Sequence, residues 1–332
     1  MTPSVPPQLA AARDLVDPVL REAVARLDPI TARVAAYHLG WADDQGRAVQ
    51  AGGKALRPAL AVLSARAAGA SAEQGATAAA AVELVHGFSL LHDDIMDGDR
   101  TRRHRPAAWT VFGTAQAILA GDALLALAGE LLAGHAEAAC FLAVATRGLI
   151  AGQAQDLEFE LRDDVALEEC LAMAARKTGD LIACACSIGA RWAGAPPAVS
   201  AELTAFGAEL GLAFQLADDL LGIWGSPEMT GKPVRSDLRA RKKSLPVVAA
   251  LTGRTAAGDR LARLLARPGP LSEADLRLAA RLVEEGGGRS WAEKEAQQRL
   301  VVAERHLAAS GIPAEVGTEF LDIARFITTR DH

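Results

Sequence analysis

Apolar residues in this chain recur at three- and four-residue intervals over long stretches and almost never alternate, a rhythm that predicts helices throughout. The segment from Ala76 to Met96 opens with an alanine run and continues through Val82, Leu84, Val85, Phe88, Leu90 and Leu91, which predicts one long helix. A second long helix is expected from Ala205 to Ile223, and Val165 to Ala190 reads as one or two helices with a kink near Gly179. Gly225, Pro227, Gly231 and Pro233 make Gly225 to Asp237 a loop. In the C-terminal third, Leu261, Leu264, Leu265, Leu276, Leu278 and Leu282 are expected core positions. Breaks at Pro196-Pro197, Ser226-Pro227 and Pro268-Gly269-Pro270 are short, and no low-complexity linker divides the chain. The expectation is an all-α fold, a large single-domain helical bundle spanning 1–332.

Composition sharpens this without changing it. The 332 residues are 50% hydrophobic, rich in Ala and Leu, with Tyr37 the only tyrosine, which favours helix over sheet. A net charge of −6 argues against nonspecific nucleic-acid binding. The longest uncharged run, Pro106 to Gly121, is too short and too broken by Thr, Gln and Gly for a membrane span. The N-terminus lacks the basic and apolar regions of a secretory leader. Cys140, Cys170, Cys184 and Cys186 have no zinc-like spacing, so a reduced, cytoplasmic protein is expected.

Candidate chemistry concentrates in a few places. Asp93, Asp94 and Asp97 stand together near the end of the first long helix, with Asp93 and Asp97 one turn apart on the same face. Uncompensated, these acids repel, and a hard divalent cation would resolve the repulsion, because Mg2+ takes one or two carboxylates plus substrate phosphates. Arg100, Arg102, Arg103 and Arg105 follow at once, and guanidinium forks match phosphate oxygens. Asp218 and Asp219 form a second acidic pair in an otherwise apolar helix, one turn after Gln215. Gly52, Gly53, Lys54 and Arg57 combine permissive backbone with two cations. Only six lysines occur in this arginine-rich chain, and Lys54, Lys177, Lys232, Lys242 and Lys243 all fall in such unusual segments. Compact ammonium groups there suit a diphosphate. His86 shares the stripe of Asp93 and Asp97, which favours a ligand role over that of an ordinary core histidine.

Taken as an ordered set, Gly-Gly-Lys-Ala-Leu-Arg-Pro at 52–58, Leu-Leu-His-Asp-Asp-Ile-Met-Asp at 90–97 with Arg102-Arg103, Lys177-Thr178-Gly179, Phe214-Gln215 with Asp218-Asp219, and Gly231-Lys232-Pro233 resemble the trans-isoprenyl diphosphate synthases, or polyprenyl synthetases. The resemblance spans roughly residues 50 to 250. It implies a bundle of the isoprenoid synthase type with a central active-site cavity, and a Mg2+-dependent prenyltransferase that condenses isopentenyl diphosphate with allylic diphosphates. It further implies that Asp93 and Asp97 hold two Mg2+ ions, with Asp94 a ligand or a support, and that Asp218 holds a third ion supported by Asp219. Arg102, Lys177 and Lys232 would hold the allylic diphosphate. Gly53, Lys54, Arg57, His86 and Arg103 would hold isopentenyl diphosphate. Thr178 and Gln215 would stabilise the cation, and a homodimer is implied. Gln153 and Asp156 are expected to line the cavity.

Two positions depart from the family pattern. Gly222 stands where a third Asp of the second motif is usual, and an Asp introduced there is expected to change activity by less than about tenfold. His104 stands where Gly is frequent, which can alter the loop backbone but leaves Arg102 and Arg103 in place. Product length turns on Phe88 and Ser89, five and four residues before Asp93. An aromatic at the first of these resembles geranylgeranyl diphosphate synthases of the archaeal pattern, with farnesyl diphosphate the alternative product. A class I terpene cyclase, which needs only one diphosphate, and a noncatalytic subunit of a heteromeric synthase are more distant readings.

Overall fold

The structure is a computed structural model that describes residues 5–226 and 234–328. Its elements are α1 (Pro7–Val24), α2 (Pro29–His38), α3 (Leu56–Ala67), α4 (Ala72–Met96), the two-residue strands β1 (Thr101–Arg102) and β2 (Arg105–Pro106), α5 (Ala108–Phe112), α6 (Thr114–Leu131), α7 (Ala136–Glu160) and α8 (Leu167–Ala174). A π-helical turn (Ala175–Gly179) leads into α9 (Asp180–Trp192) and α10 (Pro197–Trp224). There follow α11 (Ser236–Arg239), α12 (Leu245–Thr252), α13 (Ala256–Leu265), α14 (Glu273–Glu285), α15 (Gly288–Ala309) and α16 (Ala314–Thr328). The all-α expectation holds.

Local chemistry sets the boundaries. α4 starts at Ala72, ahead of the expected Ala76, because Ser71 and Gln74 form a capping box. It ends at Met96 as expected, and Gly98 turns the chain away at φ 68°. α10 starts at Pro197, eight residues before Ala205, because proline at the first turn suits a helix start. The expected kink near Gly179 is the π turn, which interrupts the helical register between α8 and α9.

Small residues let the helices approach closely. Ala78, Ala79, Ala80 and Ala81 of α4 are all fully buried. α3 packs on α4 and α9, α4 on α6, and α10 on α9 and α15. α10 contributes to all three buried apolar clusters: Phe206 and Leu210 to the largest, Leu216 and Leu220 to a second beside α8, and Ile223 to a third. That third cluster holds Leu261, Leu264, Leu276 and Leu282, with Leu265 and Leu278 packed at its edge.

α6 is the one helix among the described residues long and apolar enough to cross a membrane by length and composition alone. It carries Asp122 and Glu130 and packs on α4, while Ile118 and Leu119 are exposed. Val144 and Ile150 of α7 are exposed as well.

Candidate active site

Between α4 and α10 lies a cavity of about 660 Å³ whose lining gathers most of the residues singled out in the sequence. Asp93 and Asp97 reach it from α4, Gln215 and Asp218 from α10, and Lys177 and Thr178 from the π turn. Gly53, Lys54, Arg57, His86, Arg102 and Arg103 complete the charged lining, and Ser89, Leu90, Leu149 and Phe214 add less polar wall. Lys232 lies outside the described residues.

The acidic wall on α4 is out of electrostatic balance. Burial pushes the Asp93 carboxyl up to about 6, against the pull of the Lys177 ammonium, and Asp97 pushes the same way as burial. Asp94 points elsewhere. It is buried, and its Oδ1 accepts from Nε (2.9 Å) and Nη2 of Arg102, which fits the supporting role of the two offered for it. The cause is geometric, since adjacent helical residues diverge by about 100° and only Asp93 and Asp97 share a face. Arg102 is therefore braced by Asp94 while it lines the cavity.

Arg102 and Arg103 sit on a tight hairpin in which Arg102 pairs with Arg105. Arg103 (φ 50°) and His104 (φ 60°) both take left-handed backbone at its turn. Two-residue hairpins call for that conformation, and it is strained for non-glycine residues. His104 thus follows the path a glycine would take, and both arginines keep their places at the cavity.

On α10 the polar groups form a chain. The Thr178 hydroxyl donates to Gln215 Oε1 at 2.5 Å, Gln215 Nε2 donates to Asp219 Oδ1 at 2.7 Å, and Leu245 N donates to Asp219 Oδ2 at 2.8 Å. Asp219 is buried, and burial pushes its carboxyl up to about 7 despite the nearby Lys242 ammonium. With both oxygens engaged, Asp219 supports Gln215 and the start of α12, and Asp218 alone of the pair lines the cavity.

Two lysines converge on one acid. Lys177 Nζ lies 2.5 Å from Asp156 Oδ2, and Lys242 Nζ lies 4.0 Å from the same oxygen. Burial works against the charge of Lys242, yet Asp156, Asp237, Asp219 and Asp97 around it hold its ammonium protonated. Lys242 lines the cavity, whereas Asp156 and Gln153 do not, contrary to expectation; Asp156 lies beneath the lysines and anchors them. Lys242 had not been singled out as a site residue, although its retention in an arginine-rich chain was the signal for it.

A second set of lining residues is cationic. Arg57 Nη1 lies 3.2 Å from His86 Nε2, and burial lowers the His86 pKa well below its ordinary value, so the neutral ring accepts that bond. Burial lowers Arg57 to about 10, with the Glu83 carboxylate acting against it. Its Nε is buried with no hydrogen-bond partner among the described residues. Burial likewise lowers Arg103, whose guanidinium lies against Gly53. Desolvated cations with an unmet donor favour an anion arriving from solution.

Phe88 does not line the cavity. Its ring is buried and meets His92 edge-on at 4.9 Å, and His92 contacts the Ile118 carbonyl of α6. The small Ser89 is the residue that faces the cavity, its hydroxyl donating to the His86 carbonyl at 2.9 Å.

Gly222 has a structural reason. A Cβ built there would fall 2.5 Å from Asp237 Cγ and 2.8 Å from its Oδ1. The small effect expected of Gly222→Asp is therefore withdrawn, because that side chain would collide with Asp237 and oppose its charge.

Residues 45–283 match the polyprenyl synthetase family model. The chain is 50% identical over 339 residues to the (2E,6E)-farnesyl diphosphate synthase of Mycobacterium bovis, a match covering 99% of this chain and 94% of that protein. It is 44% identical over 302 residues to the geranylgeranyl diphosphate synthase of Mycobacterium tuberculosis, covering 89% and 86% of the two. The polyprenyl synthetase structure from Streptomyces coelicolor superposes with a TM-score of 0.94 at 51% identity, covering 98% of this chain and all (100%) of that one. The geranylgeranyl pyrophosphate synthase of Corynebacterium glutamicum, solved with isoprenyl diphosphate and magnesium, superposes with a TM-score of 0.83 at 28% identity, covering 98% and 99%.

Proposed function

This chain belongs to the polyprenyl synthetase family and is a short-chain prenyltransferase, and we propose that it condenses isopentenyl diphosphate with allylic diphosphates to give geranylgeranyl diphosphate. One observation carries the reading of the site. A single cavity brings carboxylates from α4 and α10 together with desolvated cations, among them Arg57, whose Nε has no partner among the described residues.

The donor set fits Mg2+. No group of three metal-ligating side chains is preassembled among the described residues, so bound ions would take one or two carboxylates and complete their shells with substrate oxygens. Asp93 and Asp97 would hold ions at one wall and Asp218 a further ion at the other. When bound, Mg2+ neutralises the charge that develops on the departing diphosphate. Arg102, Lys177 and Lys232 hold the allylic diphosphate, joined by Lys242, and Asp94 and Asp156 fix the aim of Arg102 and Lys177. Gly53, Lys54, Arg57, His86 and Arg103 hold isopentenyl diphosphate. As the allylic carbon–oxygen bond breaks, positive charge appears on carbon. The proton of Thr178 is committed to Gln215, so the lone pairs of that hydroxyl remain to face the cation. The isopentenyl double bond attacks to form the new carbon–carbon bond, and the resulting cation gives a proton to the released diphosphate, which restores an alkene. The apolar wall excludes the water that would quench it.

Ser89 supports the twenty-carbon product, because a small side chain at that depth leaves room for a growing chain. The 50% identity to a farnesyl diphosphate synthase favours the fifteen-carbon alternative. Incubating the purified chain with isopentenyl diphosphate, farnesyl diphosphate and Mg2+ tests the function. Twenty-carbon alcohol after dephosphorylation is expected, and absence of any elongation from this or shorter allylic primers would refute the reading. Ser89→Phe is expected to shorten the principal product by one five-carbon unit, read by chromatography of the alcohols; an unchanged distribution would remove Ser89 from length control.

A homodimer is part of the same proposal. The exposed Ile118 and Leu119 of α6 and Val144 and Ile150 of α7 support it, since such apolar surface favours a partner. Light scattering is expected to give twice the chain mass, and a monomer at micromolar concentration would refute it.

A further inference from the structure

The vacancy at position 222 has an occupant. Gly222 lies one turn after Asp218 on α10, so a side chain there would share its helix face. The space such a side chain would fill is taken by the carboxylate of Asp237, carried by α11 from outside α10. α11 is firmly seated. Leu238 is buried beside Ile223 in the same apolar cluster, and the Asp237 carbonyl accepts from Lys242 N at 2.8 Å. The carboxylate is also within electrostatic range of both Asp219 and Lys242.

We propose that Asp237 replaces the missing third acid of the second acidic motif, so that Gly222 is the opening through which α11 delivers that charge. The inference rests on the prenyltransferase reading of this cavity and assigns Asp237 a positioning role. It places negative charge beside the Asp218 wall and steadies Lys242 at the cavity. In this account the motif is complete in space although it is interrupted in sequence.

The test compares wild type with Asp237→Asn, Gly222→Asp and the double exchange Gly222→Asp with Asp237→Gly. Asp237→Asn keeps the shape and removes the charge. It is expected to lower kcat by about tenfold or more and to raise the Mg2+ concentration for half-maximal activity, with KM for isopentenyl diphosphate within about twofold of wild type. Independently of turnover, its thermal stabilisation by Mg2+ with an unreactive allylic thiolodiphosphate should shrink. Gly222→Asp alone should be at least as damaging, and the double exchange should recover most of the lost Mg2+ response. Wild-type kinetics and Mg2+ response in Asp237→Asn would overturn the proposal. So would a double exchange that melts like wild type yet recovers nothing; if it does not fold, the Asp237→Asn result decides. Wild-type protein run alongside separates the two levels, since failure of wild type to elongate would strike the prenyltransferase reading itself.

Discussion

Asp93→Ala is expected to lower kcat by about three orders of magnitude, close to 4 kcal/mol of barrier, because it removes a charged metal ligand from the ionisation step. The same change is expected to make the metal-free protein melt at a higher temperature near pH 8. Burial raises the Asp93 carboxyl to about 6. Between the ordinary carboxylate range and pH 6 the folded state therefore holds a proton that the unfolded chain has lost, so stability falls as pH rises through that window. Above it the full cost of the buried charge is present, and the variant escapes that cost. Calorimetry of metal-free protein from pH 4 to 8 checks this, alongside single-turnover kinetics with Mg2+. Loss of activity together with loss of stability would mean that Asp93 holds the fold, and retained activity would remove it as a ligand.

Arg57→Met carries the second large effect. Its guanidinium is desolvated, pairs with neutral His86 and keeps an Nε without a partner among the described residues. Replacement by an apolar side chain should raise KM for isopentenyl diphosphate about thirtyfold or more, roughly 2 kcal/mol, as expected when a buried charged partner is withdrawn from an anion. The KM for the allylic substrate and the Mg2+ requirement should stay within about twofold, because other residues serve them. Steady-state kinetics with each substrate varied in turn decides the matter. An equal rise in both KM values would show that Arg57 shapes the cavity as a whole, without distinguishing the two diphosphates.

Much of the site was legible because it broke the rules of an apolar helix. Acids at 93, 97 and 218 and cations at 54, 57 and 177 interrupt an apolar rhythm that would otherwise run on, and all six line the cavity. Adjacent acids could not be sorted by the same logic. The sequence places Asp94 and Asp219 beside ligand candidates, and only the packing reveals that one braces Arg102 while the other tethers Gln215 and Leu245. Phe88 could not be oriented for a related reason, since the sequence does not tell whether its ring packs on His92 or faces the cavity. The helix starts at Ala72 and Pro197 were readable in principle, from a capping box and a proline pair, but the apolar rhythm used to find the helices is silent about caps. Asp237 beside Gly222 is a contact between two elements, and local pattern carries no trace of it.

The π turn at Ala175–Gly179 makes the length of that segment a discrete quantity. A π bulge amounts to one residue more than an α-helix would use over the same rise. Removing one residue between 175 and 179 would let α8 and α9 close into one ordinary helix, both keeping their faces, and would abolish the wide turn itself. Four residues would then share the arc that five now span, so Lys177 and Thr178 could not both keep their present aim into the cavity. In a chimera that joins halves of two related enzymes, this stretch therefore tolerates substitution far better than a frame offset. Crossovers belong in the loops that precede α8 and α10.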